Sequence, residues 1–280
     1  MTSFIERVRA GQRRLLWIEA TAYAGRLMAR GDVPWRESAD YIAWQRKTQA
    51  LLRSDVVSLS LTPLTCDYVR SRLDLQGSMA ARRRTGYSLR VLLADEQFRA
   101  VAANLANELR AAFAGQPVAL LSPTPRAWVA LAHALAHGGE EPSVDADDAE
   151  DASAYLADFL RLFGNSGLDV LLLHEPSSTG PSALDDPSFV PLANLSSHFR
   201  WDLGLRSPHG VTGEQACGLS FAITPVATSL PVELGCEVPG RFWLGEPVAS
   251  FGGSFLFAEI PEQAVPETVL ERLGELRERL

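Results

Sequence analysis

Short apolar runs of strand length alternate with longer stretches of helical spacing along the whole chain. Leu15–Ala20 (LLWIEA), Asp55–Leu61 (DVVSLSL), Pro117–Ser122 (PVALLS) and Leu168–His174 (LDVLLLH) read as strands. The last of these is a continuous apolar run of the kind buried on both faces. Phe199–Arg206, Leu219–Pro225 and Arg241–Gly245 are further strand candidates. Ser88–Leu93 reads either as another strand or as the lead-in to a helix. Helical spacing covers Ser38–Leu52, then a segment capped by Asp95 and ending near Phe113, where Ala114-Gly115 closes it. It returns at Ala127–His137, at about Ala152–Phe163 and at Pro266–Leu280.

Seven or eight strands with helices between them require parallel crossover units, which leaves a (β/α)8 TIM-like barrel or an open doubly wound sheet. No GxGxxG follows the first strand and no GxxxxGK[ST] occurs anywhere. The nicotinamide-binding and P-loop versions of the open sheet thereby lose their support, and the α/β barrel is the expected fold. No repeat or low-complexity linker divides the chain, so residues 1–280 read as one barrel domain.

Composition narrows the chemistry. The chain is 46% apolar and 21% charged, with no apolar run near the ~20 residues needed to span a bilayer. The charged start without a signal-peptide core predicts a chain that is not exported, hence a cytoplasmic protein with no membrane partner. The net charge of −8 is local: Glu140–Asp151 holds seven acids and no base, and reads as an acidic surface connection at about 139–151. Arg82-Arg83-Arg84 is the sole basic cluster and is too short for a duplex-binding face, so nucleic acid is not an expected partner. Lys47 is the only lysine and lies on an expected helix surface, which argues against Schiff-base chemistry and pyridoxal phosphate. Cys66, Cys217 and Cys236 form no CxxC, as expected in a reducing compartment.

Three segments carry a family resemblance. Leu16-Trp17-Ile18 leads to Ala24-Gly25-Arg26. Pro117-Val118-Ala119-Leu120-Leu121 is followed by Pro125-Arg126-Ala127-Trp128 and a helix ending in Gly138. Gly167-Leu168-Asp169-Val170-Leu171 precedes Glu175-Pro176-Ser177. In order and spacing they resemble the uroporphyrinogen decarboxylase superfamily of barrels, which includes zinc-dependent methyltransferases related to cobalamin-independent methionine synthase. The resemblance implies a barrel enzyme of lyase or decarboxylase type, or alternatively a metal-dependent methyltransferase. The departures fall on the functional positions. Where the decarboxylase has an Arg after its first strand and an Asp ending its second, this chain has Glu19-Ala20-Thr21 and Ser60-Leu61-Thr62. The family tyrosine corresponds to His133. Uroporphyrinogen itself is therefore not the expected substrate. The methyltransferases' HxC zinc pair is also missing, and His209 with Cys217 is what the chain offers for a zinc site, Cys236 being the remaining thiol.

A barrel carries its chemistry where strands end at the C-terminal face. That rule selects Glu19, Thr62, Thr124, Arg126, His174, Glu175, Arg206, His209 and Glu246. Glu175, His174 and Glu19 are the expected acid/base groups, because a buried carboxyl has its pKa raised. Arg206 and Arg126 are the expected anion clamp, with Thr62, Thr124 and Glu246 as further substrate contacts. His133 and His137, four residues apart, could share a metal, but on an Ala/Leu-rich helix they read more readily as surface. The expectation is an enzyme for a small anionic organic molecule, with a homodimer allowed. A non-catalytic binding protein on a degenerate barrel is the reading that remains if the mouth carboxylates prove solvated.

Overall fold

The computed structural model describes residues 3–11, 13–176, 187–213, 216, 218–226, 229–248 and 250–280. In chain order the elements are α1 (Phe4–Ala10), β1 (Leu15–Glu19), α2 (Thr21–Ala29), α3 (Ser38–Leu52), β2 (Val57–Ser60), α4 (Leu61–Arg70), α5 (Leu73–Met79), α6 (Tyr87–Ala94) and α7 (Glu96–Ala112). There follow β3 (Val118–Pro123), α8 (Pro125–Ala136), α9 (Ala146–Leu160), β4 (Val170–His174), α10 (Val190–Phe199), β5 (Asp202–Arg206), β6 (Phe221–Thr224), β7 (Glu233–Val238), β8 (Phe255–Glu259) and α11 (Pro266–Glu278). The eight strands pair in parallel in the order β1-β8-β7-β6-β5-β4-β3-β2. This is a nearly closed α/β TIM barrel.

β1 and β2 stand at the two ends of that order, and the gap between them is bridged by the turn before β2. The Asp55 carboxylate accepts from Leu16 N at 2.8 Å, Asp55 N donates to Leu16 O at 2.9 Å, and Ser54 Oγ accepts from Ile18 N at 2.8 Å. Inside the barrel Trp17 Nε1 donates to Ser58 Oγ at 2.8 Å. The edge groups of β1 thus find side-chain acceptors in place of a ladder, as buried backbone donors must.

Strand alternation sorts side chains into two cores. Leu16, Ile18, Leu59, Leu120, Leu171, Leu173, Leu205 and Leu256 pack outward on the helix layer. Trp17, Leu121, Leu172, Phe221, Phe255 and Phe257 point inward. From below, Phe4 of α1 enters the barrel and makes edge contacts with Trp17, Phe221 and Phe255 at centroid distances of 5.2–5.6 Å. Rings this large fit because the inward positions beside them are glycines. A Cβ on Gly204 would lie 2.1 Å from Phe221 Cζ, and one on Gly235 would lie 2.4 Å from Phe255 Cζ. The aromatic plug fills the barrel interior and forms a floor beneath the mouth.

Several expectations change. Tyr87–Ala94 is helix α6, which settles the ambiguous Ser88–Leu93 segment. Arg241–Gly245 is not a strand: Gly240–Leu244 forms a 3-10 turn closed by Gly245 at φ 93°. The last two strands are β7 and β8, on either side of it. Asp145 accepts from Asp148 N as the cap of α9, so that helix starts inside the acidic run, with Asp147 and Asp148 in its first turn where the helix dipole favours acids. Arg83 and Arg84 of the basic cluster lie against this region and pair with Glu140 and Asp151. Among the described residues no helix is long and apolar enough to cross a membrane.

Candidate functional site at the barrel mouth

The inward alternation that builds the plug continues to the C-terminal ends of the strands. It delivers Glu19 (β1), Ser60 (β2), His174 (β4), Arg206 (β5), Glu237 (β7) and Glu259 (β8) to one end of the barrel. His174 lies beside Arg206 and Glu19 beside Glu259 in register. Glu19, Ser60, Thr62, Ser122, His174, Arg206, Phe257 and Glu259 line a cleft of about 440 Å³ directly above the plug. That size is ordinary for a small-molecule site.

Arg206 is the centre of the cleft. Its guanidinium lies 4.8 Å from the centroid of the Phe257 ring and reaches across the barrel to Glu237 Oε1 at 2.6 Å and Glu259 Oε2 at 2.5 Å. Arg206 and Glu237 side chains are 11% and 18% exposed, whereas Glu259 is 52% exposed. One carboxylate therefore anchors the cation from within and the other covers it from solvent. Burial opposes the charge on Arg206, but Glu259 and Glu237 outweigh it.

Burial shifts both Glu19 and His174 toward their neutral forms. Burial raises the Glu19 pKa, and neighbouring Glu259 adds to the rise. The opposing influences are Thr21, whose N–H donates to Glu19 Oε1 at 3.0 Å, and the charge of Arg206. Burial lowers the His174 pKa to about 4, and Arg206 lowers it further against the pull of Glu259. His174 Nδ1 is buried without a hydrogen-bond partner. The mouth thus holds a carboxyl that tends to keep its proton and an imidazole that tends to lack one, on either side of a fixed cation.

Of the residues selected from sequence, Glu19, Thr62, His174 and Arg206 meet in this cleft. Glu175 follows the end of β4, and its N–H donates to Arg206 O at 3.0 Å. Its side chain is buried and does not line the cleft. Thr124 stands at the N-terminal boundary of α8 without a side-chain cap, is buried, and donates its N–H to His174 O at 3.1 Å; it supports the site from behind. Arg126, in the first turn of α8, donates to the Val144 carbonyl and lines a neighbouring lobe. Glu246 is exposed beyond the 3-10 turn, because the strand it was to terminate does not exist. Glu259, at the end of β8, takes that place. Glu237 and Glu259 were missed because their strands were missed. The run Phe255–Ile260, bounded by Gly252-Gly253 and Pro261, carries a strand signal that could have revealed the second.

His209 is exposed in the turn after β5, and Cys217 lies outside the described residues. Cys236 is buried and faces the helix layer. The His133 and His137 rings sit 4.4 Å apart on α8, and burial with the neighbouring His137 lowers the His133 pKa. His133 is buried and His137 half-buried, which corrects the surface reading of that pair. Among the described residues no three His, Cys, Asp or Glu side chains gather to hold a metal ion.

Fold and cleft define a (β/α)8 barrel with an ionisable, ligand-sized site at the C-terminal ends of its strands. No protein-family model and no curated protein matches the sequence. Among solved structures, one from Aquifex aeolicus VF5 is similar over 99% of this chain and 96% of its own, at 11% identity and a TM-score of 0.47. A tryptophan synthase from M. tuberculosis, solved in an aminoacrylate- and BRD0059-bound form, is similar over 98% and 92%, at 12% identity and a TM-score of 0.43. Likeness at this level carries no function across.

Proposed function

We propose that this chain, acting as one barrel unit, is an enzyme that moves protons on a small organic carboxylate at the barrel mouth, in a lyase or decarboxylase-type reaction. The observation that carries the reading is the convergence of Glu19, His174 and Arg206 on one cleft, where burial raises the proton affinity of the first and lowers that of the second. Glu237 holds Arg206 in place, and the half-exposed Glu259 is the partner a substrate carboxylate would displace. Bound there, the substrate lies against His174, whose imidazole accepts a proton from it. Glu19, on the other side of the cation, supplies a proton. With Glu19 keeping its proton, three carboxylates, Asp67, Glu259 and Glu262, stand against three arginines, Arg26, Arg70 and Arg206. A substrate with one acidic group suits that balance better than a polycarboxylate such as uroporphyrinogen.

Glu19→Gln is the sharpest test. The amide keeps an acceptor for Thr21 N–H but cannot donate a carboxyl proton. Turnover is expected to fall about 10²–10⁴-fold. Stability at pH 7 is expected to be unchanged or higher, because a group with a raised folded pKa loses its stabilising contribution as pH rises through that pKa. The assay is deuterium uptake or consumption, followed by NMR in D₂O, across a panel of small monocarboxylic acids. Conversion by the wild type and by neither Glu19→Gln nor His174→Asn is the expected result. Equal conversion by the Glu19→Gln protein overturns the assignment.

A further inference from the structure

A second lobe of about 430 Å³ adjoins the mouth, and Thr62 and His174 line both. Its floor is one face of α8, where Ala127, Ala130, Leu131 and Ala134 leave a hollow that larger side chains would fill. Its roof is the connection from Glu141 to Val144, which runs back over the helix. Arg126 latches that roof by donating to the Val144 carbonyl. The acidic connection, read from sequence as a solvated segment, therefore forms a wall of a cavity. Polar atoms sit at the rim, on Arg126 and Glu141, while the interior is alkyl and proline surface. Water in such a space has few hydrogen-bond partners and is readily given up to an apolar group.

We propose that this lobe holds the hydrocarbon tail of the substrate, so that the protein takes an amphipathic carboxylate: acid group at Arg206, chain passing His174 and Thr62, tail over Ala130 and Ala134. The inference rests on the reading of the mouth as a carboxylate site and adds the class of molecule that reaches it. The occupant follows from continuity, since the lobe opens onto the polar cleft at the residue that neighbours Arg206 in register. An uncharged tail also explains why a cavity beside an ion-rich mouth has alanines as its floor. By this account Ala130 and Ala134 set the tail length and His174 stands at the junction of head and tail.

Calorimetric titration with straight-chain monocarboxylates from acetate to decanoate tests this. The dissociation constant is expected to fall about fourfold for each methylene beyond butyrate until the lobe is full. Ala134→Phe fills the lobe and is expected to flatten that series, so that the gap from wild type widens with chain length. Ala130→Leu should flatten it less; both positions are half-buried at the cavity, and a thermal melt confirms folding of each. Arg206→Gln should weaken every acid by a similar factor and leave the chain-length slope intact. A flat wild-type series, or a slope that Ala134→Phe leaves unchanged, overturns the tail site while leaving the mouth reading in place. Affinities that Arg206→Gln leaves unchanged overturn the mouth reading instead. Absence of binding by any acid overturns both.

Discussion

Arg206→Met is expected to cost the protein about 3–5 kcal/mol at pH 7, with loss of all turnover. The magnitude comes from breaking a buried pair by removing one partner, which strands charge away from water. Here the stranded groups are Glu237, 18% exposed, and in lesser part Glu259, which solvent screens. The loss should shrink on acidification. Protonating the stranded carboxyls removes the uncompensated charge. Urea melts at pH 7 and pH 4.5 check this. The double change Arg206→Met, Glu237→Leu should recover much of the stability and none of the activity. A single variant as stable as wild type at pH 7 would show that the cation is not held as described.

Gly204→Ala is expected to be strongly destabilising. The new Cβ would meet Phe221 Cζ at 2.1 Å. Phe221 cannot retreat, because Phe4, Trp17 and Phe255 box its ring at centroid distances of 5.3–6.2 Å. Overpacking a well-filled core costs about 1–3 kcal/mol and more where neighbours cannot shift, and the upper end applies here. Phe221→Leu alone should also destabilise, by leaving a void beneath the mouth. The pair should be more stable than the sum of the two losses, by at least about 0.5 kcal/mol of coupling in a double-mutant cycle. Strict additivity would place the glycine's role elsewhere.

The sequence made the barrel legible through LLWIEA, PVALLS and LDVLLLH, whose apolar runs can only be buried strands. Glu19, His174 and Arg206 followed because each ends such a run, and that position alone sends a side chain to the mouth. β7 was hidden because its inward face is Glu233, Gly235 and Glu237, a polar and glycine pattern that satisfies the barrel axis and breaks the hydrophobic signature. Missing it displaced the last strand onto Arg241–Gly245 and chose Glu246 over Glu259. Glu175 is adjacent to His174 in sequence, but its buried side chain is not among those that line the cleft. The start of α9 was missed because an acidic run reads as solvated loop until Asp145 is recognised as a cap. The pairing of Arg206 with Glu237 and Glu259 joins strands far apart in the chain, and no local signal announces it.

The ring of His174 reports most directly on the mouth as a site where proton affinities are inverted. ¹⁵N-histidine NMR, with the His174 signals assigned by loss in His174→Gln, gives its titration in the intact protein. An apparent pKa of about 4 is expected, rising in Arg206→Gln as the neighbouring cation is removed. Because the unfolded chain would bind the proton first, this group should lower stability progressively as pH falls from about 6.5 toward 4. A His174 that titrates near 6.5, and does so equally with and without Arg206, would contradict the account.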